Sequence, residues 1–131
     1  MKKVFSTFIL ILLIFSGCDF WVNYTFRVNN STQETITLKF ELYPTENQEE
    51  VILLPGEEKV VRVIPGPLNS GVHDCLTEHG IGYFRLLVFD TYVNDEKLEK
   101  QLWQSENWTY RRESNYSAEY MMTITDKMIE K

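Results

Sequence analysis

The sequence predicts an all-β domain, a single antiparallel sandwich of two sheets with about seven short strands, following an N-terminal segment of different character. Three observations predict it. Apolar and polar residues alternate with a period of two around Val22–Val28, Ile36–Leu42 and Ala118–Ile124, the mark of strands with one buried face. Pro44, Pro55-Gly56 and Pro65-Gly66-Pro67 interrupt the chain between such runs, where fixed or permissive backbone ends a strand. No long stretch keeps a convincing helical period.

The first strand places Val22, Tyr24, Phe26 and Val28 on one face and Asn23, Thr25, Arg27 and Asn29 on the other. Asn29-Asn30-Ser31-Thr32-Gln33 is a turn by composition, because Asn and Ser side chains satisfy nearby backbone groups. Ile36, Leu38, Phe40 and Leu42 then alternate with Thr35, Thr37, Lys39 and Glu41, and the two runs read as a hairpin. Pro44 stops the second strand, Thr45 to Glu50 form an acidic loop, and Val51–Leu54 is a short third strand. Past Pro55-Gly56, Lys59–Ile64 has apolar residues on both faces, as expected for a strand covered on both sides or near a sheet corner. The region from Pro65 to Gly82 shows no clean period. Tyr83–Val93 is β-rich, and Asn94-Asp95 is a tight turn. Over Glu96–Trp108 the spacing of Leu98 and Leu102 suits a helix, but the neighbouring strands favour a returning strand and a loop. Ala118, Tyr120, Met122 and Ile124 define the last strand, and Asp126–Lys131 reads as a polar tail.

The N-terminal segment reads as a signal. Lys2 and Lys3 precede an apolar run, Val4–Phe15. That run is shorter than the roughly 20 residues a membrane-spanning helix needs but fits a signal core of about 7–15. It ends in Phe15-Ser16-Gly17-Cys18, which resembles the lipobox of bacterial lipoproteins, with Phe15 where leucine is usual. The resemblance implies that residues 1–17 are removed, that Cys18 carries the lipid, and that residues 18–131 form the anchored domain. With two or more acyl chains a protein stays on its membrane, whereas one holds it marginally. Only Asp19, Phe20 and Trp21 separate Cys18 from the first strand, a reach of about 10 Å.

Without that segment the chain keeps 11 basic against 19 acidic residues, a net charge of −8. Such a balance opposes nucleic-acid binding, which requires clustered Lys and Arg. A thioether at Cys18 leaves Cys75 alone, so no disulfide supports the fold.

Together with the lipobox, Val28-Asn29-Asn30-Ser31, Leu54-Pro55-Gly56-Glu57 and Tyr120-Met121-Met122-Thr123-Ile124-Thr125 resemble small lipoproteins of Bacteroidota-type bacteria with immunoglobulin-like sandwich domains. A fainter similarity is to bacterial proteinase inhibitors of immunoglobulin-like fold, though no inhibitory loop can be matched. The likeness implies a fold and a place, the outer membrane or cell surface rather than the inner membrane, and no activity.

Two groups invite chemistry. His73, Cys75 and His79, with Asp74 and Glu78, place both histidines and one thiol in a short window. Zinc favours thiolate and imidazole, and a thiol beside a base can be a nucleophile. However, His73 and Cys75 share a face only on a strand, and Cys75 and His79 only on a helix. A surface loop is the simpler reading. Trp103, Trp108, Tyr110 and Tyr116, with Arg111 and Arg112, form the second group. Such residues anchor interfaces or stack on sugars, yet a tryptophan in a small sandwich commonly fills the core. Asn23, Asn30, Asn107 and Asn115 match the glycosylation pattern but read as turn and strand composition behind a bacterial signal. No catalytic set, cofactor or phosphate loop is expected. The expected partners are the membrane, through Cys18, and an envelope protein.

Overall fold

The computed structural model describes residues 21–41, 49–67, 72 and 87–130. Among the described residues eight strands run in chain order: β1 (Trp21–Asn30), β2 (Ile36–Phe40), β3 (Glu49–Leu53), β4 (Glu58–Pro67), β5 (Phe89–Val93), β6 (Glu96–Lys97), β7 (Thr109–Arg112) and β8 (Ser117–Ile124). They form two four-stranded sheets, ordered β4-β1-β8-β7 and β3-β2-β5-β6. The all-β sandwich expected from the alternation is what the chain forms. The alternation also gives the inward faces correctly. Val22, Phe26, Val28, Ile36, Leu38, Phe40, Ala118, Tyr120, Met122 and Ile124 are fully buried. Each fully buried aliphatic or aromatic side chain contributes about 1.5–3 kcal/mol.

Pairing departs from the sequence reading in three places. The expected hairpin of β1 and β2 does not form: β1 pairs β4 and β8, while β2 pairs β3 and β5. The connection crosses from one sheet to the other, so the two alternations face each other across the core instead of lying side by side. β1 and β8, the outermost strands in sequence, run parallel with Asn23 opposite Ser117 and Asn30 opposite Ile124. Such a pair needs a long connection, here the whole of the rest of the domain. Finally, β4 is an edge strand, and Val60 and Val63 are 44% and 51% exposed. Its register with β1 slips between Phe26 and Arg27, a bulge that turns Val61 inward. That bulge, Pro65 and Pro67 make this edge a poor template for another strand.

Asn30 holds the crossing. It is fully buried, and its amide nitrogen donates to the carbonyl oxygens of Glu34 (2.8 Å) and Leu53 (3.0 Å). Its side-chain oxygen accepts from the N–H (3.0 Å) and hydroxyl (2.7 Å) of Thr32. Its own main chain adds two more bonds, N–H to Glu57 O (2.9 Å) and O from Gly56 N–H (2.8 Å). Gly56 belongs to the Leu54–Glu57 turn, where Glu57 N–H donates to Leu54 O (3.0 Å). Its φ of +75° is the third-position geometry of a type II turn, with Pro55 at the second. The Glu57 carboxylate accepts from Leu54 N–H (2.9 Å) and pairs with Lys59 (3.0 Å). Those two contacts, the backbone one foremost, hold its pKa below the usual carboxylate range.

The Asn94-Asp95 turn has φ of 47° and 70° and joins β5 to β6 with Val93 opposite Glu96, a two-residue turn of the mirror-image kind. Glycine accepts the second of these positions without steric cost. Asp95→Gly should therefore raise stability by about 0.5–1 kcal/mol, seen as a Tm higher by a few degrees. The chain then leaves the sheet after two residues of β6. Leu98 and Leu102 are buried, and a 3-10 turn at Ser105–Asn107 leads to β7, so a short returning strand and a loop replace the helical alternative. The expected polar tail is instead a short helix, α1 (Asp126–Ile129), whose Met128 and Ile129 pack on the core.

Candidate functional site

Of the residues singled out for chemistry, Cys18 and the His73, Asp74, Cys75, Glu78 and His79 group lie outside the described residues. Among the described residues, no three His, Cys, Asp or Glu side chains are placed to hold a metal, and no helix is long and apolar enough to cross a membrane.

The aromatic group divides. Trp108 is a core residue, 4% exposed. Its ring meets Phe26 edge-on at 5.5 Å, and its indole N–H donates to Trp103 O (3.1 Å). Phe26 in turn stacks on Tyr120 at 5.0 Å and 9°. Trp108 is thereby removed from the binding candidates: a ring enclosed on the inner face has no surface left for a sugar. Tyr110 is half-buried and packs on Tyr120 at 5.3 Å, so most of its ring also serves the core. Trp103 is half-buried beside the core, and Tyr116 is 48% exposed. The residues are close in sequence but do not form one exposed platform. Three of the glycosylation-like asparagines are structural: Asn30 as described, Asn107 through a bond to Leu102 O (2.9 Å), and Asn115 as acceptor from Arg112 (2.7 Å).

Strand direction sorts the loops into two ends. β1 runs from Trp21 at the near end to Asn30 at the far end, about 30 Å at the rise of an extended strand. The crossing after Asn30, the Leu54–Glu57 turn, the Asn94-Asp95 turn and α1 gather at the far end, tied by bonds such as Ser31 N–H to Ile124 O and Asn94 N–H to Thr35 O, both 2.9 Å.

A depression of about 290 Å³ opens there, floored by Val93, Leu98 and Ile129 and rimmed by Glu34, Asn94, Glu96 and Lys97. Asn94 is fixed by bonds to Thr35 N–H (3.1 Å) and to the Glu34 carboxylate. Lys97 pairs with Asp90 at 2.8 Å, which raises its pKa. The volume is just below the ~300–1,000 Å³ typical of small-molecule pockets, and suits one side chain of a partner. Sequence reasoning did not find it, because its members come from the crossing, the hairpin and the tail. Met128-Ile129, apolar in an otherwise polar tail, was the available signal.

On the outer face of the β4-β1-β8-β7 sheet, Glu119 is 5% exposed and accepts from Arg111 (3.1 Å) and Arg27 (3.4 Å). Arg27 also reaches Glu58 at 3.2 Å. Each charge here is answered within the cluster, so the arrangement clasps all four strands of the sheet.

Comparison with protein families, with curated proteins and with solved structures finds no match to this chain.

Proposed function

We propose that the protein is a lipid-anchored binding module of a bacterial cell envelope, at the outer membrane or cell surface, which holds a protein partner without catalysing a reaction. One observation carries this reading. β1 begins at Trp21, three residues after the cysteine of the lipobox-like Phe15-Ser16-Gly17-Cys18, so the domain is tethered without a stalk. Three residues span about 10 Å, and Phe20 and Trp21 are residue types that favour the headgroup region. The far end, with its depression, then faces away from the membrane and meets the partner.

The test is tether length. A flexible Gly/Ser insertion of about 15 residues after Asp19 adds roughly 20 Å of r.m.s. reach. It should leave folding and lipidation unchanged and reduce the yield of crosslinks to native envelope partners. Unchanged partners and yields would show that closeness to the membrane is incidental.

A further inference from the structure

Two consecutive arginines stand at the end of β7 that lies beside the start of β1, the end from which the chain runs to its anchor. β1 and β8 are parallel, so β8 starts at the end where β1 starts, and Asn23 N–H donates to Tyr116 O (2.9 Å). Tyr116 belongs to the turn that joins β7 to β8. Asn23 lies five residue steps beyond Cys18, a span of at most about 17 Å. Whatever course Asp19 and Phe20 follow, the Tyr116 main chain stays within about 20 Å of the attachment point, some three headgroup layers at roughly 5–7 Å each.

The turn is built for such a place. Tyr116 is 48% exposed, and tyrosine is enriched at headgroup depth, where its ring is dry and its hydroxyl wet. The Arg111 side chain is 69% exposed. Arg112 is held under the turn by bonds to Ser114 O (3.2 Å) and Asn115 (2.7 Å). The turn itself is rigid: Glu113 and Ser114 N–H both donate to Ser117 O, at 3.0 and 3.1 Å, and the Ser114 and Ser117 hydroxyls bond at 2.9 Å. Arg111 is answered by Glu113 (3.3 Å) and Glu119 (3.1 Å), whereas Arg112 bonds to neutral groups, so the corner presents one cation without a carboxylate partner in a chain of net charge −6.

Among the described residues, acidic side chains cluster on other surfaces. Glu34, Glu57, Asp95 and Asp126 stand at the far end. The near end of the second sheet carries Glu41, Glu50 and Asp90, Glu41 and Glu50 exposed. An anionic bilayer repels both.

We infer that the β7–β8 corner, Arg111 to Tyr116, is a membrane-contact surface, with Tyr116 at headgroup level and Arg112 facing lipid phosphates, so that the domain leans on its first sheet and lifts the second away. This rests on the lipid anchor at Cys18.

The test uses the full lipidated chain carrying Cys75→Ser, in vesicles of phosphatidylethanolamine and phosphatidylglycerol. A fluorescent label is placed singly by Tyr116→Cys, Glu50→Cys or Asp95→Cys, and a lipid with a quencher at the carbonyl level is added. Quenching should be several-fold stronger at position 116 than at 50 or 95. High salt, which screens exposed charges, should lower the quenching at 116, as should Arg112→Glu. Equal or stronger quenching at 50 or 95 overturns the inference, and insensitivity to both salt and Arg112→Glu overturns the phosphate contact. Failure of the anchor itself looks different, as chain that does not float with the vesicles at all.

Discussion

Replacing Asn30 by aspartate is expected to remove about 3–5 kcal/mol of stability, most of what a domain of this size possesses. The amide meets two carbonyl oxygens, of Glu34 and Leu53, and two donors of Thr32, all within 3.0 Å. An aspartate keeps the acceptor and loses both donors, setting a carboxylate against two buried carbonyls with no solvent to relieve it. Each buried polar group left without a partner costs about 1–3 kcal/mol, and Tm should fall by some 15–25 °C. The defect has a sign in pH. Burial against carbonyls raises the introduced carboxyl's pKa in the folded state above its unfolded value. The deficit is therefore smallest below the unfolded value of about 3.9 and grows as pH rises through the folded one. Urea titrations of both proteins across that range check it. A variant as stable as the parent at neutral pH would show that the crossing does not depend on this amide.

Cys18→Ala is expected to abolish incorporation of labelled palmitate completely and to leave an uncleaved precursor. The thioether needs sulfur, and in lipoproteins the cut that releases the signal follows lipid attachment. The domain itself should fold when expressed from Asp19 onward, because among the described residues the buried side chains begin at Val22. Metabolic labelling and fractionation measure both. Labelling that persists in the variant would remove the lipid anchor and with it the localisation.

Much of the fold could be read because burial repeats with the geometry of the chain. Val22 to Val28 and Ala118 to Ile124 alternate cleanly, and Pro55-Gly56 carries the residues that its backbone angles demand. What escaped was what period cannot express. Alternation gives the face of a strand but not its neighbour, so β1 and β2 were paired when they oppose one another. Asn30 looked like one more turn residue, although its amide is among the most engaged in the domain. β7 was missed since only Tyr110 of its four residues is other than exposed. Val60 and Val63 suggested a covered strand, and a bulge at an open edge leaves both in solvent instead. Of the candidate site, Trp108 could be weighed correctly as core from its type alone, whereas the far-end depression is assembled from three distant segments and has no local signature.

Tension on the chain ahead of Trp21 enters the domain through β1. That strand is central, bonded along its length to β4 on one side and to β8 on the other. A pull along the strand loads both ladders in shear, so many hydrogen bonds must give way together rather than one after another. An edge hairpin pulled from its open end would unzip. With the load taken at the far end of the sandwich, the fold behaves as a mechanical link whose yield is set by an unfolding rate and not by equilibrium stability. The pairing of the first strand with the last thus gives the domain a grip on whatever holds its N-terminus.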